Sequence, residues 1–303
     1  MALMPDGGGT TLAGRYRLLE PIGRGGMGTV WRATQLALSR DVAVKMLDVP
    51  QAMTSRLRTE ALALAALHHP NIVGVIDFGE DAGRPFVAME LVEGETLEHM
   101  LAARGPLAPA DAIAMAIPIF DALAYAHRRG VVHRDLKPAN VLLDRSDGGL
   151  VPKLVDFGIA LLASEPRATQ AIAGTPAYMA PEQARGHAVD ARADVWGAAA
   201  MLYEMLEGTP PFGDDESPAV LSRILLEPPR VAERTPASLA SILLRALVKD
   251  PTLRTPNAAA LVGELRAWKP EQAPISAFAR TLASAEPAPP SLDALVRSRF
   301  GGS

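Results

Sequence analysis

Between residues 16 and 91 the apolar and polar positions change over in short runs. Residues 16–22, 28–35 and 41–47 are β-favouring stretches parted by turns that contain Gly or Ser, and they predict three strands. Residues 54–67 follow another period. Leu57, Leu64 and Leu67 stand among alanine and charged residues, the spacing of an amphipathic helix. Two more apolar runs, 72–78 and 85–91, flank Glu80-Asp81-Ala82-Gly83-Arg84 and read as a hairpin. Residues 15–91 are therefore expected to form a small sheet carrying one helix.

After Glu93-Gly94-Glu95 the period becomes helical. Segments 96–104, 110–129, 189–207, 219–226, 238–248 and 257–268 carry apolar residues at helical spacing, with starts signalled by Pro109 before Asp111 and by Thr255-Pro256. Pro118 inside the second segment predicts a kink or a late start. A short β pair, 141–143 and 153–155, separates two polar strings and places both on loops. Beyond Trp268 the pattern is lost. Five prolines in 269–290 mark a linker, followed by a short helix over 291–300. The expected organisation is a flexible N-terminus over 1–14, a folded unit over 15–268 and a tail over 269–303. No internal repeat is evident.

Composition narrows the partners. With 49% hydrophobic and 21% charged residues, 303 residues can bury sizeable cores. A net charge of −4 gives no general basic field, so nucleic acid is not an expected partner. There is no cysteine, hence no disulfide, thiol nucleophile or Cys-ligated zinc, which suits a cytoplasmic chain. No basic flank and apolar run opens the chain, and Pro118 and Asp121 interrupt the Ala-rich stretch 112–126. Neither a signal peptide nor a membrane segment is expected. Of 30 basic residues only 5 are lysine, leaving 25 arginines. Two of the five, Lys45 and Lys137, fall inside candidate motifs.

The polar strings carry the chemistry. Residues 133–140 read His-Arg-Asp-Leu-Lys-Pro-Ala-Asn, and Asp156-Phe157-Gly158 follows sixteen residues after Asn140. Asp135 offers a carboxylate to a hydroxyl proton, Lys137 a cation to phosphate oxygens, and Asn140 with Asp156 oxygen donors to a metal. Upstream, Gly23, Gly25, Gly28 and Val30 fit Gly-x-Gly-x-x-Gly-x-Val. A dinucleotide fold requires a helix directly after the third glycine. Residues 29–33, Thr-Val-Trp-Arg-Ala, read as strand, so a phosphate-covering hairpin is the better reading. Lys45 ends the apolar run Val42-Ala43-Val44, and Glu60 is the only acidic residue between Asp48 and Asp77. A Lys45–Glu60 pair would aim the ammonium at α- and β-phosphates.

In these motifs and their order the chain resembles the bacterial eukaryotic-like (Hanks-type) Ser/Thr protein kinases from about Tyr16 to Trp268. The resemblance implies an α+β bilobal fold: a small antiparallel sheet lobe with one helix over 15–91, a hinge at about 90–93 and a mainly helical lobe over 94–268. It implies ATP as phosphoryl donor with Mg²⁺, for which Mn²⁺ can substitute, and protein Ser/Thr hydroxyls as acceptors. Asp135 would then be the catalytic base, Lys137 would neutralise the γ-phosphate, and Asn140 and Asp156 would hold two metal ions. Val30, Ala43 and Leu142 would sandwich the adenine, beside Ile22 and the loop glycines. Met89 would be the gatekeeper, with Glu90 and Val92 on the hinge. Phe157 would stack with Leu64, Val75 and His133. In Gly174-Thr175-Pro176-Ala177-Tyr178-Met179-Ala180-Pro181-Glu182, Thr175 would bridge Asp135 and Lys137. Glu182 paired with Arg254, Asp194 beneath the catalytic loop, and Phe157 with Gly158 would serve as scaffold.

Arg134, beside the base, is a buried-charge liability unless an anion meets it. A phosphate within 161–173 would supply one. Thr169 is the preferred autophosphorylation site and Ser164 the second, and trans-phosphorylation would call for a homodimer. One departure from the family pattern concerns the link from Lys45 to Glu60. It is short and contains Pro50, leaving the Glu60 helix less tethered and able to swing out. Two other functions compete with this one. A pseudokinase or nucleotide-gated interaction module would have lost Lys45, Asp135 or Asp156; a small-molecule kinase would not need the loop from Thr175 to Glu182.

Overall fold

Six antiparallel strands build the first sheet of this computed structural model, which describes residues 10–25, 28–50, 53–145, 149–157, 176–214 and 218–269. They are β1 (Thr11–Leu12), β2 (Tyr16–Gly25), β3 (Gly28–Gln35), β4 (Arg40–Leu47), β5 (Val75–Asp81) and β6 (Arg84–Glu90), in the order β1-β2-β3-β4-β6-β5. The two-residue alternation of a strand divides their apolar side chains between two cores. Val42, Val44, Phe86 and Ala88 pack with Leu12 and Tyr16 on one face. Leu47 and Val87 meet Leu57 and Leu64 of helix α1 (Thr54–Ala65) on the other. The hairpin between β5 and β6 turns through Ala82 and Gly83, both left-handed, at φ 47° and 79°. Asp81 and Arg84 pair across it, the geometry of a tight two-residue turn.

The expectation of a flexible segment over 1–14 needs correcting at its end. Thr11 and Leu12 pair with Arg17 and Tyr16, and Leu12 is buried. A turn at Ala13-Gly14 makes this pairing local, and the Ala13 N–H donates to the Asp81 carboxylate at 2.9 Å.

A second sheet, in the order β7-β8-β9, joins β7 (Gly94–Thr96), β8 (Val141–Asp144) and β9 (Val151–Leu154). Sequence pattern missed β7, because its charged residues read only as a break. Gly94 explains why the strand can form there: a Cβ would lie 1.9 Å from the Leu143 carbonyl oxygen. Around this sheet stand α2 (Leu97–Arg104), α3 (Pro109–His127), α4 (Pro181–Ala184), α5 (Ala191–Glu207), α6 (Pro218–Leu226), α7 (Ala237–Ala246) and α8 (Ala258–Ala267). Asp190 caps α5 by accepting from the Arg192 N–H, and Asn257 caps α8 by accepting from the Ala260 N–H.

Helix α3 does not start late, as Pro118 allowed it to. It runs from Pro109, a favourable first-turn proline, through Pro118 to His127. Nine of its residues are buried and it packs on α5 and α8, so tertiary burial outweighs the hydrogen bond that proline cannot donate. By length and composition this helix could cross a membrane; here it is the core helix of the helical lobe. Contacts divide the chain into residues 1–268 and 269–303. The expected linker and helix of the tail lie outside the described residues beyond Lys269.

Candidate active site

The loop between α3 and β8 is shaped from below. Asp194 on α5, 1% exposed, accepts the His133 and Arg134 N–H groups, each at 2.7 Å, and contacts His127 Nε2 at 2.7 Å. These bonds hold Arg134 at φ 66°, a conformation a β-carbon disfavours. The Gln183 side chain donates to the Arg134 carbonyl at 2.7 Å. Above this support Lys137 Nζ lies 2.9 and 3.1 Å from the two oxygens of the Asp135 carboxylate. Asn140, at the end of a turn begun by Pro138, donates from Nδ2 to the Asp135 carbonyl at 2.7 Å and carboxylate at 3.0 Å. Both bonds engage the amide nitrogen.

Asp156 enters from the end of β9 with φ 58°, and its Oδ1 lies 2.7 Å from Lys45 Nζ. The neighbouring Phe157 ring packs on His133 at 4.6 Å between centroids and lines a small cavity with Leu64 and Val75. The expected Lys45–Glu60 pair is not made: among the described residues Lys45 pairs with Asp156 instead. Glu60 shares the inward face of α1 with Leu57 and Leu64, by i+3 and i+4 spacing, but opens on a different space. It lines a cavity of about 110 Å³ together with Ala63, Leu64, Val131, Arg134 and Phe157. Burial raises the Glu60 pKa, while the positive charges of Arg134 and Arg56 draw it back. Across the cavity Arg134 Nε is buried without a hydrogen-bond partner. The start of α1 has no side-chain cap at Met53, and the Thr54 hydroxyl is buried and unpartnered. A helix so lightly anchored at its start leaves the nearly buried Lys45 to its other carboxylate.

The remaining expected nucleotide contacts lie on the two sheets and on the connection between them. Gly23 faces Val30, and Gly25 faces Gly28, across β2 and β3; Ile22 is exposed. Gly28 answers first to its own sheet, since a Cβ there would lie 1.8 Å from the Met46 carbonyl oxygen. Val30 stands opposite Lys45, and Ala43 opposite Met89. Met89 joins Leu64, Val75 and Phe157 around a smaller cavity. Leu142 stands opposite Thr96 and Lys153. The Glu90 N–H donates to the Gly74 carbonyl at 3.0 Å, and Val92 follows β6 on the connection to β7. Gly158, Ser164, Thr169 and Thr175 lie outside the described residues.

Beneath the site, Arg254 meets Glu182 through two buried parallel contacts of 2.8 and 2.9 Å. Three partners, Glu204, His127 and Lys153, stand outside the sequence motifs. Tyr178 donates to Glu204 at 2.5 Å, and burial lifts the Glu204 pKa to about 7. His127 joins Asp194. Lys153 pairs with Glu90 at 2.6 Å; as one of five lysines in an arginine-rich chain, it could have been noticed.

A family profile described as the protein kinase domain matches residues 16–265. A probable serine/threonine-protein kinase of Streptomyces coelicolor is 43% identical over 264 residues, covering 82% of this chain and 39% of that protein. The serine/threonine-protein kinase PknB of Mycolicibacterium smegmatis is 40% identical over 280 residues, covering 87% of this chain and 44% of the other. The chain thus spans less than half the length of these two relatives. A crystal structure of Rad53 residues 1–466 with AMP-PNP aligns with a TM-score of 0.71 at 27% identity, over 82% of this chain and 64% of that one.

Proposed function

The chain belongs to the protein kinase family, and from that membership we propose that it transfers the γ-phosphoryl group of ATP to serine and threonine hydroxyls of proteins in the cytoplasm. The observation that carries this reading is the convergence of Asp135, Lys137 and Asn140 within hydrogen-bond distance of one another. Asp135 orients the substrate hydroxyl and takes its proton as the hydroxyl oxygen bonds to the γ-phosphorus and the bond from that phosphorus to the β–γ bridging oxygen breaks, releasing ADP. Lys137, already beside that carboxylate, meets the oxygens of the transferring group. The transition state spreads negative charge over those oxygens, so fixed charges and alignment contribute most of the acceleration. Lys45 holds the α- and β-phosphates, under the hairpin of Gly23, Gly25 and Gly28. The apolar walls are Val30, Ala43 and Leu142, with Met89 behind and the backbone of Glu90 and Val92 on the adenine edge.

Asn140 and Asp156 fit a hard divalent cation, for which we propose Mg²⁺: they offer an amide oxygen and a carboxylate, and Asn140 has its nitrogen engaged elsewhere. When bound, that cation neutralises phosphate charge. Arg134, with an unpartnered buried Nε, fits a phosphate on Thr169, or secondarily Ser164, placed there by a second copy of the chain. Thr175 positions the acceptor peptide.

The test is a radiolabelled ATP assay on a generic basic protein, followed by identification of the labelled residue type. The wild type should label serine or threonine, and Asp135→Asn should label nothing. Wild-type protein that binds ATP and Mg²⁺ yet labels neither itself nor a substrate would overturn the enzyme reading in favour of a nucleotide-gated interaction module.

A further inference from the structure

Lys153 lies outside every motif of the proposed reaction, yet it ties together the parts that would enclose the nucleotide base. Its ammonium is 2.6 Å from Glu90 Oε1 and 3.5 Å from Asp144 Oδ2. Burial alone would lower its pKa, but the two carboxylates outweigh that and raise it. Lys153 is the Cα partner of Leu142 across β8 and β9. Its chain neighbours are strapped to the connection between α1 and β5: the Leu154 N–H donates to the Asn71 carbonyl, the Val73 N–H to the Leu154 carbonyl, and Asn71 Nδ2 to the Pro152 carbonyl. Glu90 closes the circuit by donating its own N–H to Gly74 in that connection.

We propose that Lys153 is a positioning residue for the nucleotide: its ion pair with Glu90 fixes the spacing between the hinge backbone and Leu142, the floor of the adenine site. This rests on the kinase reading. The side chain of Glu90 is held by β9 while its backbone meets the adenine edge, so a change at the ammonium is transmitted to the base without touching the phosphates. The effect therefore belongs to ATP binding and not to phosphoryl transfer. A shift shared equally by the bound ground state and the transition state alters KM and leaves kcat alone.

The experiment compares wild type, Lys153→Met, Lys153→Arg, Glu90→Gln and the double variant Lys153→Met with Glu90→Gln. A fluorescent ATP analogue with Mg²⁺ gives Kd, ATP-dependent phosphorylation gives KM and kcat, and thermal unfolding checks each fold. Lys153→Met and Glu90→Gln should each weaken Kd and KM for ATP about fivefold, the scale of one partly exposed charge-assisted pair, with kcat held. The double variant should be no weaker than either single one, and Lys153→Arg should restore most of the affinity. Unchanged affinity in folded Lys153→Met or Glu90→Gln, additive losses in the double variant, or a loss confined to kcat would overturn the proposal. If Lys153→Met does not fold, Glu90→Gln decides alone. Failure of the wild type itself to bind the analogue would overturn the kinase reading, and this inference with it.

Discussion

Among the ion pairs of the described residues, Arg254 has the most enclosed side chain, 0% exposed against 7% for Glu182. Its guanidinium also donates to the Val248 and Arg192 carbonyls and lies over the Trp196 ring. Removing one member of such a pair strands the other's charge, so Glu182→Gln should lower stability by about 3–5 kcal/mol in urea unfolding. A loss below about 1 kcal/mol would mean that the carbonyls suffice for Arg254. Glu204 presents the opposite problem, an acid buried beside a phenol, with Glu98 and Asp214 adding negative charge. Its folded pKa of about 7 lies above the ordinary glutamate value of 4.5. Between those values the folded state holds a proton that the unfolded state has lost, so stability should fall as pH rises through that window. Glu204→Gln removes this dependence while keeping an acceptor for Tyr178. Its Tm advantage over wild type should therefore grow from pH 5 to pH 8, and parallel Tm profiles would refute the assignment. The contrast also says what sequence discloses at this scale. Asp135, Lys137 and Asn140 sit in one string whose spacing carries the chemistry. Tyr178 and Glu204 are 26 residues apart, and neither has a neighbour that announces the other.

Elements were legible where one period persisted. The helices expected over 189–207 and 257–268 could be read from apolar spacing, because local preference and burial agree there. Helix α3 carried a misleading signal at Pro118, since a pattern cannot weigh one missing hydrogen bond against nine buried side chains. Strand β7 carried almost no signal, because its reason is a close approach at Gly94 to a chain segment about fifty residues later. The β5–β6 hairpin was legible in position but not in geometry. Its first turn residue is Ala82 at φ 47°, where a β-carbon costs about 1 kcal/mol and where Asn is better tolerated. Ala82→Asn should raise stability by about 0.5 kcal/mol and Tm by about 1–2 °C, with no change in activity. An unchanged or lower Tm would show that the surrounding pairs already absorb the strain.

At the scale of the whole molecule, two carboxylates, Asp156 and Glu60, and two cationic side chains, Lys45 and Arg134, have two ways to pair, the second of which admits a metal ion and a phosphate. In the structure Lys45 holds Asp156, and Glu60 faces Arg134 across the cavity. In the proposed active arrangement Asp156 meets a metal, Glu60 takes Lys45 and Arg134 takes the phosphate of Thr169. Each exchange keeps every charge opposed, so the two arrangements can differ by little free energy and one phosphate can shift the balance. That sequence disclosed the participants and not their pairing follows from this: the choice depends on where α1 rests, and the helix is held by Leu57, Ala61 and Leu64 with no cap at its start. The scheme makes Glu60 matter only after activation. Autophosphorylated Glu60→Gln should lose about tenfold in kcat, equal to about 1.4 kcal/mol of transition-state stabilisation, while phosphatase-treated Glu60→Gln should match phosphatase-treated wild type. Thr169→Ala should start from the lower, phosphatase-treated activity, and adding Glu60→Gln to it should change little. Steady-state rates on one peptide, with phosphorylation state checked by mass spectrometry, decide the matter. An equal loss in both forms would mean that Lys45 and Glu60 pair without phosphate. Full activity of Thr169→Ala would mean that the anion expected at Arg134 comes from elsewhere or is not needed.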